Sequence, residues 1–244
     1  MKWLARSRYD SDNQEKTLLS HLSLLSLKML ERKGNKYQIG YKDAAGLIAE
    51  NFRPKPPVQK ATAAEQFLRD AQLRCGLTKE RGGDLVFCHR EFQDYLAATH
   101  LAHSRDQYRE DMAVKFLKER QGPEVLRLLA GCLQSGTSSA RLSDLFACLI
   151  DYAAPLGLEP RACAVGVIGG MRADLLPTNY AMPEDLQGRY DELVRSVLAI
   201  FDREASKAIS IPIRRDAAEA WRRVAIRGCG CHGRSWIRSI SSIG

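Results

Sequence analysis

The chain has 244 residues, of which 45% are hydrophobic and 27% charged. This composition is typical of a folded protein with its own core, and it excludes a chain that is disordered throughout. No run of 18 apolar residues is present, and no apolar stretch follows the basic N-terminus. The sequence therefore predicts neither a membrane span nor a secretory signal, and we expect a cytoplasmic protein without a membrane partner.

The net charge of +8 is concentrated towards the C-terminus. Residues 207–244 contain eight Lys or Arg residues against Asp216 and Glu219, whereas residues 1–206 are nearly balanced. A basic segment of this kind can bind nucleic acid or an acidic partner, and it can equally be a solvated terminus.

The seven cysteines indicate free thiols. An odd number argues against a complete disulfide framework, and five of the seven stand singly within apolar patterns, as thiols of cytosolic proteins do. These five are Cys75, Cys88, Cys132, Cys148 and Cys163.

The first part of the chain reads as a short polar end followed by a helical region. We expect residues 1–13 to be frayed and residues 14–104 to form one folded region. Leucines recur at helical spacing between Gln14 and Arg32, which predicts a helix with a wide apolar face. A short strand is expected at Tyr37–Tyr41, and a second helix at Lys42–Phe52.

A loop and a hairpin follow. Three prolines within Arg53–Pro57 predict a loop. Thr62 and Glu65 have the spacing of a capping box, so we expect the third helix to begin there. Gly82-Gly83 lies between two short extended runs and predicts a β-hairpin, after which a helix begins near Arg90. Together these elements indicate a winged-helix-like region.

The remainder reads as a series of helices with short breaks. We therefore predict a mainly α fold, in which the winged-helix-like region with its small β-hairpin is followed by a HEAT-like helical array at 105–226. The glycine-rich residues 227–244 are expected to form a basic, irregular tail. The helices of the array are expected near 108–120, 123–130, 140–152, 161–175, 183–204 and 213–224.

No arrangement of residues indicates catalysis. The chain contains no Gly-x-x-x-x-Gly-Lys-Ser/Thr loop and no apolar run that ends in paired acids, so we expect it not to hydrolyse ATP by itself. Cys229, Cys231 and His232 form a compact cluster, but a structural zinc site needs four ligands. We therefore expect no catalytic residue and no metal site.

One segment of the chain resembles a motif of a known protein family. The stretch Phe87-Cys-His-Arg-Glu-Phe-Gln-Asp-Tyr-Leu-Ala-Ala98 is similar to the motif that closes the winged-helix region of NACHT-type signalling NTPases, which are STAND and NLR-like proteins. Weaker similarity covers Leu18–Phe52, Pro123–Gly131 and Ile211–Ala220, the last to bacterial members of the family. The matching residues of the motif are Phe87, His89, Phe92, Gln93, Tyr95, Leu96, Ala97 and Ala98, and Asp94 replaces a Glu.

The resemblance implies a regulatory role in signal transduction of the kind found in prokaryotic immunity. In related NTPases the histidine that matches His89 contacts the phosphates of ADP and helps to hold the resting state. The phosphate-binding loop and the Walker B acids are missing from this chain. His89 would therefore meet ADP, and the family's ATP, only if a NACHT nucleotide-binding domain were supplied by an upstream segment of a truncated gene or by a split subunit.

Two functional hypotheses remain open. The first is a regulatory or sensor fragment of a NACHT-type NTPase that acts by autoinhibition, sensing or self-association, in which case a homo-oligomer is a possible partner. The second is a stand-alone helical scaffold that binds nucleic acid or an acidic partner through its basic C-terminal tail, and its supporting feature is the concentration of charge after residue 206.

Overall fold

The computed structural model describes residues 12–32, 35–52, 57–119, 122–136, 139–178 and 180–232. These residues are mainly helical, with one small antiparallel sheet, so the predicted fold class is confirmed. The chain divides between Ser104 and Arg105 into two compact units. Of the predicted frayed end at 1–13, only Asp12 and Asn13 are described, and they begin the first helix.

The first unit has the element order of a winged helix. Its elements are α1 (Asp12–Glu31), β1 (Gln38–Gly40), α2 (Tyr41–Ile48), a 3-10 turn (Ala49–Asn51), α3 (Pro57–Cys75), β2 (Thr78–Arg81), β3 (Asp84–Phe87) and α4 (Arg90–Ala102). The sheet order is β1-β3-β2, with Ile39 opposite Leu85 and Thr78 opposite Phe87. Gly82 and Gly83 turn the hairpin at φ values of +63° and +85°, which a two-residue turn of this type requires.

Helix α1 lies at the centre of the first unit. Seven of the nine residues from Leu22 to Leu30 are buried, and α1 packs along α4. Aliphatic side chains of α1, α2 and α3 join Leu85 and Phe87 of the sheet in one core. The leucine spacing in the sequence therefore reflects a helix that is enclosed by its neighbours over most of its circumference.

Helix α3 begins earlier than the capping-box spacing predicts. Its first residue is Pro57, and Thr62 lies within the helix with an exposed side chain. Proline fits the first turn of a helix because that position needs no amide donor. Of the predicted loop at Arg53–Pro57, residues 53–56 lie outside the described residues.

The second unit is an array of helical pairs. Its helices are α5 (Asp106–Lys118), α6 (Pro123–Gln134), α7 (Ser139–Ala153), α8 (Leu158–Leu175), α9 (Glu184–Arg195) and α10 (Ile211–His232), with 3-10 turns at Leu176–Thr178, Leu198–Phe201 and Ala205–Ala208. Helix α7 packs against α5 and α9, and α8 packs against α6 and α10. Two rows of alternate helices result, which is the HEAT-like arrangement expected from the sequence.

Small residues bring α8 and α10 together. A Cβ added at Gly169 would lie 2.5 Å from Cβ of Ala220, and one added at Gly166 would lie 2.9 Å from Cβ of Asp216. Both distances are shorter than van der Waals contact, so the two helices can approach this closely only because α8 has glycine at both positions.

Two predicted boundaries in the second unit are wrong. The single helix expected at 183–204 ends at Arg195. Further along, the carboxylate of Asp202 accepts hydrogen bonds from the amides of Glu204 and Ala205, both at 2.9 Å. Such bonds stabilise a turn in competition with a helix.

The predicted start of the irregular tail, residue 227, is also too early, because the backbone of α10 is helical as far as His232. The first half of α10 is anchored by the buried residues Ala217 and Ala220. Propagation of a formed helix adds a hydrogen bond for each residue that is fixed, so α10 continues through Gly228 and Gly230 although each costs about 1 kcal/mol relative to alanine. The remainder of the predicted tail, 233–244, lies outside the described residues.

Candidate functional site

The motif at 87–98 spans the end of the hairpin and most of α4. Phe87 ends β3 and is buried, and the amide of Cys88 donates a hydrogen bond to the carbonyl of Leu77 at 2.9 Å. This bond closes the hairpin one residue before His89. Leu96, Ala97 and Ala98 are buried, whereas Phe92 and Tyr95 are half-buried. The apolar part of the motif therefore serves the core.

His89 occupies the N-cap position of α4 and has an exposed side chain. Its backbone is extended, and its carbonyl accepts a hydrogen bond from the amide of Phe92 at 3.2 Å. The imidazole caps no amide of the helix, and its ring meets the ring of Phe92 edge-on at 5.3 Å between centroids. A structural role as a side-chain cap is therefore excluded, and the imidazole is accessible to a ligand.

Arg90, the next residue, is held by two neighbours. Its guanidinium lies 4.6 Å from the centroid of the Tyr37 ring, and its Nε lies 3.5 Å from a carboxylate oxygen of the buried residue Asp94. Burial raises the pKa of the Tyr37 hydroxyl, an effect that the charge of Arg90 opposes. The first turn of α4 thus presents an exposed imidazole and, beside it in sequence, an arginine in a defined position.

Gln93 was not recognised from the sequence as a buried residue. Its side chain is fully enclosed, and its amide nitrogen donates a hydrogen bond to the carbonyl of Lys36 at 2.8 Å. This contact ties α4 to the segment that precedes β1 and that carries Tyr37. Gln93 and Asp94 therefore stabilise the surroundings of His89 from within the unit.

The remaining histidines of α4 form no site. His103 is exposed, and its Nδ1 lies 2.8 Å from the carbonyl of Thr99. Burial lowers the pKa of His100, and the nearby charges of Lys28 and His103 lower it further. The carboxylate of Glu31 opposes these effects on the pKa of His100.

The cysteines in the described part of the chain are free thiols. Cys75 is buried, but Cys88, Cys132, Cys148 and Cys163 are only half-buried. Burial raises the pKa of the Cys75 and Cys148 thiols. A raised pKa reduces the thiolate fraction, so neither cysteine is an activated nucleophile.

The described residues contain no group of three or more His, Cys, Asp or Glu side chains placed to hold a metal ion. The backbone of Cys229, Cys231 and His232 is helical, and their side chains lie outside the described part of the structure. Within that same part, no helix combines the length and the apolar character needed to cross a bilayer.

Three basic residues between position 206 and the predicted tail make ion pairs with nearby acids. Lys207 contacts Glu204 at 2.7 Å, Arg215 contacts Asp216 at 3.0 Å, and Arg222 contacts Glu219 at 2.8 Å. All three pairs are exposed, so each contributes little to stability and remains open to competition by another charged group.

A groove of about 400 Å³ lies in the second unit between α6, α8 and α10. Arg127 lies along its edge, where its Nε and Nη2 donate hydrogen bonds to the two carboxylate oxygens of Asp174 at 2.7 and 2.8 Å. These hydrogen bonds raise the pKa of Arg127. None of the site residues predicted from the sequence lines this groove.

Comparison of the chain with protein-family models, with curated proteins and with solved structures found no match. Functional interpretation therefore depends on the motif at 87–98 and on the positions of its residues.

Proposed function

We propose that this chain is the winged-helix and helical-array part of a NACHT-type signal-transducing NTPase, with a regulatory role and no ATPase activity of its own. The observation that carries the proposal is the position of His89, which is exposed at the start of α4, caps no amide, and follows a closed hairpin. In the resembled family the equivalent histidine contacts the phosphates of ADP.

The chemistry of His89 fits that role. An imidazole N–H can donate a hydrogen bond to a diphosphate oxygen, and the bond is stronger when the imidazole is protonated. Such a contact forms only in the closed state of a switch, so it shifts the population towards that state by the free energy of the contact. The nucleotide itself would be held by a NACHT domain encoded upstream or on a separate subunit.

The transcript that encodes this chain tests the proposal. We expect an adjacent reading frame upstream to encode a Gly-x-x-x-x-Gly-Lys-Ser/Thr loop followed by an apolar strand that ends in acidic residues. If neither the transcript nor a neighbouring gene encodes such a loop, the proposal fails.

The concentration of basic residues after position 206 favours a second candidate, a scaffold that binds nucleic acid through its C-terminal tail. Because α10 packs along α8, a cut at Glu204 would remove part of the folded array. A chain that ends at His232 lacks Arg234 and Arg238 and keeps α10. This candidate predicts that the shortened chain, with Lys207, Arg215 and Arg222 also replaced by alanine, binds nucleic acid more weakly and with a smaller salt dependence, and equal binding would eliminate it.

A further inference from the structure

Helix α3 has a solvent-facing stripe along most of its length. Thr62, Gln66, Arg69 and Leu73 are all exposed, and their spacing of four, three and four residues places them on one side of the helix. Leu73 is 85% exposed. The stripe covers about 16 Å along the helix axis, and three of its four side chains carry hydrogen-bonding groups.

The charged side chains that surround this stripe are mostly basic. Between residues 59 and 83, the exposed charged residues are Arg69, Arg74, Lys79, Glu80 and Arg81, whereas the acidic residues Glu65 and Asp70 are half-buried. Four exposed positive charges thus stand against one exposed negative charge, and the half-buried carboxylate of Asp70 accepts a hydrogen bond from the Gln66 amide at 2.9 Å, which a base edge would replace. We call Arg69, Arg74, Lys79 and Arg81 the basic face.

Tyr41 shows that the two parts of the basic face are adjacent. Its amide donates a hydrogen bond to the carbonyl of Gly83 in the hairpin turn at 3.4 Å, and its hydroxyl donates to the carbonyl of Glu65 in α3 at 3.4 Å. The guanidinium of Arg69 lies 5.8 Å from the centroid of the Tyr41 ring. The middle of α3 and the hairpin turn therefore meet around one residue.

We propose that the basic face binds duplex DNA, with the exposed stripe of α3 in the major groove and the β2–β3 hairpin against the phosphate backbone. A duplex carries closely spaced phosphates that a cluster of Lys and Arg side chains attracts. The major groove is about 12 Å wide and admits an α-helix. Gln66 and Arg69 are of the residue types that pair with the edges of adenine and guanine.

This binding goes beyond the regulatory role proposed above and does not depend on a bound nucleotide. It also differs from binding through the C-terminal tail, because all four residues of the basic face lie in the first unit. The two surfaces can therefore be separated by substitutions.

The test uses the full chain and a fluorescein-labelled duplex of mixed sequence, about 20 base pairs long, in an anisotropy titration at salt concentrations from about 25 to 200 mM. We expect Arg69→Ala/Arg74→Ala to weaken binding by about tenfold and to lower the slope of log affinity against log salt by about two. The pair Lys79→Ala/Arg81→Ala tests the hairpin side of the face independently.

The matched control is Arg105→Ala/Arg195→Ala, which removes the same charge from two exposed positions of the second unit. The control should bind within about twofold of the wild type, because neither arginine belongs to the basic face and neither would neutralise a phosphate of the bound duplex. Circular dichroism of each variant establishes that it is folded, and where one pair is misfolded the other pair decides.

Three results would overturn the proposal. The first is that the wild-type chain fails to bind the duplex at low salt, as expected if the face serves a protein partner instead. The second is that both basic-face double variants bind as tightly as the wild type, and the third is that the control loses as much affinity as the basic-face variants. A chain that ends at His232, has alanine at Lys207, Arg215 and Arg222, and keeps its affinity would support the basic face over the tail.

Discussion

The two units bring their closest helices together in different ways. In the first, α1 is surrounded by large aliphatic side chains, and α4 carries two buried polar residues, Gln93 and Asp94. In the second, α8 and α10 meet through Gly166 and Gly169. The difference indicates that buried polar contacts in the winged-helix-like unit position the start of α4, around His89. In the array, packing depends instead on how closely α8 and α10 approach each other.

The largest effect is expected where α8 meets α10. Gly169→Ala would place a methyl group 2.5 Å from Cβ of Ala220 and 3.2 Å from the hydroxyl of Tyr190. The helices must separate, and we expect the free energy of unfolding in urea to fall by about 3 kcal/mol. The matched control is Gly188→Ala on α9, where nothing lies within 4 Å, and it should raise stability by up to about 1 kcal/mol.

A second substitution sharpens that test. Ala220→Gly removes the methyl group that Gly169→Ala would strike, so the double variant should recover part of the lost stability. If Gly169→Ala unfolds at the same urea concentration as the wild type, the close approach of α8 and α10 is not a stabilising feature.

The next largest effect is expected at the buried side-chain amide of Gln93 in the first unit. Gln93→Leu keeps the side-chain volume but removes the donor to the carbonyl of Lys36, and the loss should cost about 1–2 kcal/mol in chemical denaturation. Glu91→Ala, at an exposed position of the same helix, provides the comparison and should change stability by less than about 0.5 kcal/mol. Equal changes in the free energy of unfolding for the two variants would show that the hydrogen bond from Gln93 to Lys36 does not stabilise the fold.

The second unit contains a buried arginine whose partner is exposed, so its contribution should depend on pH. Arg109 is fully buried, and its Nη2 donates to a carboxylate oxygen of Asp106 at 2.7 Å. This hydrogen bond is the main reason that the pKa of Asp106 is lowered. A lowered pKa stabilises the fold above the ordinary carboxyl pKa of about 4, and the gain is lost as the pH falls through the lowered value.

We therefore expect Asp106→Asn to be less stable than the wild type at neutral pH and to approach it near pH 2, where thermal unfolding of both proteins can be followed. Asp111→Asn is the control, because it removes a carboxylate on the same helix that accepts from Gln107 and not from an arginine. A difference between Asp106→Asn and the wild type that does not change with pH would contradict the ion-pair explanation.

The smallest effect is expected at His89. Its exposed side chain caps no amide, so His89→Ala should change the free energy of unfolding by less than about 0.5 kcal/mol. A side-chain cap would instead be worth about 1 kcal/mol. A fall in melting temperature that corresponds to the larger value would mean that His89 has a structural role after all.

Much of the first unit could be predicted because its signals are local. The leucines of α1 recur at helical spacing, and the pair Gly82-Gly83 is required by the positive φ values of a two-residue hairpin turn. The burial of Gln93 could not be predicted, because a polar residue on an amphipathic helix is expected at the surface unless its partner is known. That partner, the carbonyl of Lys36, is 57 residues away in sequence.

Other differences between the predicted and the observed elements arise where two local sequence signals compete. Thr62 and Glu65 have capping-box spacing inside a helix that had already begun at Pro57. The glycines of α8 were present in the sequence, and glycine within a helical pattern is a sign of close packing. The partner helix that explains them, α10, is identified only by the fold.

We propose that His89 belongs to a nucleotide switch in which a NACHT domain outside residues 1–244 holds the nucleotide. The most direct measurement is the ADP dissociation constant of the chain assembled with the proposed NACHT domain, compared between wild type and His89→Ala. We predict that the substitution weakens ADP binding by about tenfold or more, since a hydrogen bond to a charged group is lost, and that ATP affinity changes little. Equal ADP affinity in the two proteins would contradict the claim.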